Sequence, residues 1–145
     1  MYTLSEINIP DYQTMCIEQT ITDLTKIPDT FNRLQAFAKE KNIVPKGYFL
    51  KYLDASETDT TNMDAQFCLV VDEVVTAQDD IKPLALKGYK ATFLKSDSIA
   101  FEDLGKTYED MYRHILEKGY NIPKAPMWEL YNKDHTAYIL WPVNE

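Results

Sequence analysis

In the run MWELYNKDHTAYILWPV, residues 127–143, one carboxylate stands among aromatic and aliphatic side chains: Glu129, between Trp128 and Leu130, with Tyr131 two residues on. Residues two apart on a strand share a face. Glu129 and Tyr131 therefore look one way, and Trp128 and Leu130 look the other. An acid in partly apolar surroundings carries a desolvation cost, its pKa rises, and a bound cation offsets that cost. Tyrosine and tryptophan faces add about 0.5–2 kcal/mol for each good cation–π contact. The same residues suit proton transfer, with Glu129 as general base towards water and a tyrosine orienting a substrate or donating a proton. The plain alternative is an acid on the wet face of a half-buried strand.

Other chemistries find little support. His114 falls in a helical run and His135 in a turn, without an evident nucleophile partner, and packing or surface roles suit both. Cys16 and Cys68 lie far apart in apolar runs without metal spacing. They read as buried thiols packing as small hydrophobes, with a disulfide or a reactive thiol as alternatives. There is no phosphate-cradling glycine loop, no metal-ligand cluster and no Ser-His-Asp order. No cofactor is expected.

The chain has 145 residues, 45% of them apolar and 12% aromatic, enough for one domain with a substantial core. Ten tyrosines against four glycines suit the walls of a wet pocket as well as the rim of a sheet. The net charge is −8 with no lysine or arginine patch, which argues against direct nucleic-acid binding. No run is apolar enough for a membrane span, and the N-terminus lacks signal-peptide regions, so a cytoplasmic protein is expected.

The elements that must position Glu129 fall into two halves, about residues 1–76 and 81–145. YTLSEINI and YQTMCIEQTI read as strands broken at Pro10-Asp11. IPDTFNRLQAFAKEKN is a helix, with Phe31, Leu34, Phe37 and Ala38 at helical spacing and Asp29 or Thr30 as the cap. GYFLKYLD and AQFCLVVDEV are strands joined by the loop ASETDTTNMD. IKPLALKGYKATFLKS is extended with a bulge or bend at Gly88. SIAFEDLGKTYEDMYRHILEKG is helical, closed by Gly119, with Gly105 hinting at a separate first turn. PMWELYN and TAYILWPV form a hairpin around Lys133-Asp134.

The halves overlay. TFNRLQAFAKEKN sits on TYEDMYRHILEKG, with Phe31 over Tyr108 and Leu34 over Met111. Pro45-Lys46 sits on Pro123-Lys124, and Phe49-Leu50-Lys51-Tyr52 on Trp128-Glu129-Leu130-Tyr131 after a one-residue gap. The fold class expected is α+β: two duplicated modules, each a helix on antiparallel strands, related by a pseudo-twofold axis around a central ligand cleft. Leu50 and Tyr52 from one half, with Glu129 and Tyr131 from the other, then look at a common space.

The order of elements, the runs KIPDTFNRL, ILEKGYNIP and MWELYNKD, and the closing TAYILWPV resemble the gyrase-inhibitor-like (GyrI-like) small-molecule-binding family, over nearly the whole chain. That family includes stand-alone proteins and the effector-binding domains of multidrug-responsive transcription activators. The resemblance implies an aromatic pocket for lipophilic, often cationic, small molecules, faced by a glutamate on the penultimate strand; Glu129 falls on that position. Expected walls are Tyr52, Tyr131, Tyr89, Phe93 and Tyr108. Some relatives are hydrolases that open cyclopropane rings with a glutamate and a tyrosine, which would make Glu129 and Tyr131 catalytic. A third role is protein interaction, as in gyrase inhibition, although no dense acidic strip imitates DNA here. The chain departs from relatives in having LKSDSIAFEDLG where many carry a His-x-Gly-Pro-Tyr-like stretch, so a reshaped pocket floor is expected. With the extended reading starting at Tyr2, no helix-turn-helix is expected ahead of the domain.

Overall fold

The computed structural model describes residues 2–57, 59 and 61–145; Met1, and Thr58 and Thr60 of the expected loop, lie outside the described residues. Among the described residues, nine strands and two α-helices follow in the order β1 (Thr3–Ile9), β2 (Tyr12–Ile21), α1 (Ile27–Glu40), β3 (Gly47–Tyr52), β4 (Met63–Val70), β5 (Lys82–Leu86), β6 (Tyr89–Lys95), β7 (Ile99–Ala100), α2 (Leu104–Lys118), β8 (Met127–Tyr131) and β9 (Thr136–Pro142). All strands pair antiparallel in one open sheet of order β1-β6-β9-β8-β3-β4-β2-β5, with the short β7 beside β9. This is the α+β arrangement expected.

The strand order reads the same from either end once β1 is exchanged for β5, β6 for β2, β9 for β4 and β8 for β3. A pseudo-twofold axis therefore passes between the two central strands, β3 and β8. Their register places Leu50 directly opposite Glu129. These are the two positions that the overlay of the halves makes equivalent, so the axis runs through this one cross-strand pair. The outer strands are exchanged: β1 pairs with β6 and β5 pairs with β2.

Alternation along the strands gives the sheet two apolar faces. On one, Leu34, Phe37 and Ala38 of α1 and Met111 and Ile115 of α2 pack with Met15, Leu50, Phe67, Leu94 and Ile139. Neither α1 nor α2 packs on the other face. It holds a second cluster of Ile9, Cys16, Phe49, Cys68, Phe93, Trp128 and Leu140, edged by Tyr12, Tyr89 and Tyr138. Cys16 and Cys68 are cross-strand neighbours here, free and buried, and burial pushes the Cys68 thiol well up.

Local details correct the cap assignment. Asp29 and Thr30 do not cap α1: both lie inside a helix that begins at Ile27 with Pro28 in its first turn. A 3-10 turn, Leu24–Lys26, leads into it, and Asp23 caps that turn by accepting from the Thr25 amide at 3.0 Å. The Thr30 hydroxyl donates instead to Gln19 Oε1, at 2.9 Å, tying α1 to β2. The second helix behaves as read: a 3-10 turn at Phe101–Asp103 precedes α2, and Gly119 closes it at φ 70°.

Gly88 lies in the turn between β5 and β6, where it meets the β1–β2 turn. Its amide donates to Asp11 Oδ1 at 2.6 Å, and a Cβ placed on it would sit 2.2 Å from the Ile9 carbonyl oxygen and 2.8 Å from the Pro10 carbonyl carbon. Backbone atoms cannot swing aside as a flexible side chain would. Gly88→Ala is therefore expected to destabilise the fold by about 1–3 kcal/mol, the usual cost of overpacking. Urea denaturation measures it; a midpoint unchanged from the parent chain would contradict the close approach.

Candidate functional site

A cavity of about 930 Å³ opens on the helix-bearing face, with both helices and the central strands in its walls. Its size lies in the range of about 300–1,000 Å³ typical of pockets for drug-sized ligands. The first turns of the helices contribute in matching pairs: Ile27 and Leu104, Phe31 and Tyr108, and Gln35 and Tyr112. Each helix presents these residues at i, i+4 and i+8, so they form a single stripe. From the strands come Tyr48 and Tyr52 on β3, Met127, Glu129 and Tyr131 on β8, and Trp141 on β9.

Glu129 is only 5% exposed. Tyr108 donates its hydroxyl to Glu129 Oε1 at 2.6 Å, and Tyr131 donates to Oε2. Both carboxylate oxygens are thus held by neutral donors from α2 and from the acid's own strand. Among the described residues no lysine, arginine or histidine forms an ion pair with it. Burial raises the Glu129 pKa above its ordinary 4.5, while the two tyrosine hydrogen bonds pull it back down. In turn, burial and the nearby carboxylate push the hydroxyls of Tyr52, Tyr108 and Tyr131 well up, so all three are proton donors across ordinary pH.

The rings around the carboxylate meet edge to face. Phe31 on α1 packs against Tyr131 with ring centres 5.1 Å apart and planes at 82°, and Tyr108 on α2 packs against Tyr52 at 6.4 Å and 88°. The overlay of the halves makes these two contacts equivalent. Trp141 extends the α2 side: it stacks with Tyr112 at 6.1 Å and 24°, and meets Tyr108 at 6.1 Å.

Of the residues singled out in the sequence, Glu129, Tyr131, Tyr52 and Tyr108 come together in the cavity wall. Leu50 is on the same face, opposite Glu129, but is fully covered and does not line the cavity. Tyr89 and Phe93 belong to the other face. Leu94 is the β6 residue that joins the helix-side core, which turns its neighbours at odd numbers away. Tyr89 there accepts the indole N–H of Trp128 at 2.9 Å. Sequence reading missed Phe31, Tyr48, Phe101, Tyr112 and Trp141 as walls. Phe31 had a signal, since the overlay set it on Tyr108. His135, with φ 63° and its ring 6.0 Å from Phe101, also edges the cavity. No group of His, Cys, Asp and Glu among the described residues could hold a metal.

The GyrI-like small molecule binding domain matches residues 3–144 of the chain. The chain belongs to this family. No curated protein sequence matches it. The C-terminal domain of EcmrR is similar in structure to this GyrI-like domain, with TM-score 0.72, 16% identity and coverage of 100% of this chain and 99% of that one. EcmrR in a complex with DNA gives TM-score 0.73 at 15% identity, covering 99% of this chain and 58% of that one. SAV2435 bound to tetraphenylphosphonium gives 0.63 at 15% identity, covering 99% and 94% of the two chains. A hydrolase from Listeria innocua gives 0.57 at 12% identity, covering 97% and 91%. At these identities the likeness is one of fold.

Proposed function

We propose that this GyrI-like domain binds lipophilic cations as an effector- or drug-binding protein, with Glu129 as the counter-ion. The observation that carries the reading is a buried carboxylate in an aromatic cavity, held by hydroxyls and without an ion-pair partner among the described residues. A ligand cation supplies the missing charge, and the ring faces of Tyr108, Tyr131, Tyr112 and Trp141 supply bulk apolar contact and cation–π attraction. Such a site selects charge and size without demanding one shape. It also fits the tetraphenylphosphonium held by SAV2435, a protein of the same fold.

The raised pKa gives this reading a sign. The folded, empty chain holds the Glu129 proton more tightly than the unfolded chain does. The stability from this group is therefore complete below the ordinary carboxylate range and is lost as pH rises through the raised value. A permanent cation favours the anion, so binding ejects a proton and tightens as pH rises through the same window. Calorimetric titration of tetraphenylphosphonium in buffers of different ionisation heat is expected to show release of up to about one proton per cation bound on the acid side of that window. Tetraphenylborate, of the same shape and opposite charge, should not bind. Equal binding of the two ions, or an affinity flat with pH, would remove the charge-selecting role of Glu129.

A second reading has an observation of its own. Tyr108 and Tyr131 donate to one carboxylate, an arrangement suited to a general base with proton donors beside it. Turnover of a cyclopropane-bearing substrate, abolished in Glu129→Gln, would establish a hydrolase in place of a binder.

A further inference from the structure

The pseudo-twofold relates the two sides of the cavity residue by residue, and the buried acid with its helix-borne hydroxyl donor has no twin across the axis. Opposite Glu129 at the axis stands Leu50. Opposite Tyr108, whose hydroxyl holds the carboxylate, stands Phe31, which has no hydroxyl. The stacked Tyr112 and Trp141 face Gln35 and, on the β4 register that matches β9, Leu69. The acid, the helix-borne hydroxyl donor and the stacked ring pair have no counterparts at the matching α1-side positions, although Tyr48 and Tyr131 both pack against Phe31 there.

We infer that the cavity takes a ligand with a single positive centre at one end of an apolar body, in one orientation: the cation on the α2 side, and the uncharged body against Phe31 and the α1 side. Leu50 and Phe31 are the specificity-determining residues that impose this orientation. They hold the twin positions of Glu129 and Tyr108 and keep those positions free of an acid and its hydroxyl donor. Leu50 acts without touching the ligand, by filling with an apolar side chain the place where a second carboxylate would stand. A symmetric cavity would accept either orientation, and a second buried acid beside Glu129 would repel it. The inference rests on the cation reading of Glu129 and adds direction to it.

The test uses Trp141 fluorescence, since Trp141 lies on the α2 side while Trp128 is on the other face of the sheet and gives a constant background. Two alkyltriphenylphosphonium ions are compared, one brominated on an aryl ring and one at the end of the alkyl tail. The ring-brominated ion should quench Trp141 at least about twofold more strongly at saturation, because bromine quenches only at close range. Equal quenching by both ions would overturn the proposed orientation. A charge-swapped chain then moves the polar groups across the axis: Leu50→Glu and Phe31→Tyr together with Glu129→Leu and Tyr108→Phe. Relative to Glu129→Leu alone, it should bind the cation at least about tenfold more tightly, and the tail bromine should become the stronger quencher. A folded swapped chain that binds no better than Glu129→Leu, or binds in the original orientation, would refute the role of Leu50 and Phe31. If the swapped chain fails to fold, quenching in the unsubstituted chain still decides. Failure of the cation reading looks different: a brominated triarylphosphine oxide, which is neutral, would bind the unsubstituted chain as tightly as the phosphonium ions do.

Discussion

Replacing Glu129 by Gln is expected to weaken tetraphenylphosphonium binding by about 1–3 kcal/mol, roughly 5- to 150-fold in Kd. The change keeps the size of the side chain and leaves Tyr108 and Tyr131 an acceptor at the amide oxygen, so packing is largely retained. What it removes is the charge. A neutral ligand of similar bulk, such as triphenylphosphine oxide, should bind nearly as before. The empty variant should be as stable as the parent at neutral pH or slightly more stable, because the folded chain no longer has to hold a buried acid whose pKa burial raises. Paired titrations of the two ligands measure the effect. Equal losses for both would point to disturbed packing and not to charge.

Trp128→Ala should give the opposite pattern one residue away. Trp128 is 1% exposed on the helix-free face, touching Phe49 at 5.2 Å between ring centres, with Lys51 Nζ 5.3 Å from its own ring centre and its N–H on Tyr89. Truncating a buried tryptophan costs about 3–5 kcal/mol in lost transfer energy and cavity formation. That is a large part of the stability of a domain this size. The affinity for tetraphenylphosphonium at a temperature where the variant is still folded should stay within about twofold, since Trp128 is absent from the cavity wall. Thermal denaturation reads the first effect and titration the second. A stable variant with lost binding would mean that the two faces of the sheet are not separate in the way the alternation of β8 implies.

Much of this was legible in the residues. The spacing of Phe31, Leu34, Phe37 and Ala38 gave α1, and Gly119 gave the end of α2. The polar Lys133-Asp134 between two aromatic runs gave the last hairpin. The alignment of Leu50 with Glu129 was visible by eye and became the cross-strand pair on the axis. Two things were not legible. Which face of β6 meets the helices depends on how the strand is seated between β1 and β9, and the run YKATFLK offers apolar residues to both faces. Sequence alone therefore assigns Tyr89 and Phe93 to the cavity, whereas they pack behind it. The cap of α1 was also displaced, because the chain adds a 3-10 turn ahead of Ile27 and Thr30 finds a better partner across the fold, on Gln19. Local sequence shows which side chains can cap; it does not show a competing acceptor eleven residues away.

The exchange of the outer strands has a consequence for how the chain reaches this fold. β1 cannot be covered by its own half: Thr3 must wait for Lys95 and Ile9 for Tyr89. While the first half is being synthesised, β1 has no strand to pair with, and β2 has β4 on one edge and nothing on the other until Lys82–Leu86 arrives. Contacts of such long sequence separation make folding slow, because loop closure must precede the reward of pairing. An isolated first half would present an unpaired edge at β2 and invite self-association. The interlock also links the fates of the two sides. Melting either outer strand uncovers the partner half, so the chain should unfold in a single transition, and the ligand cavity should vanish all at once.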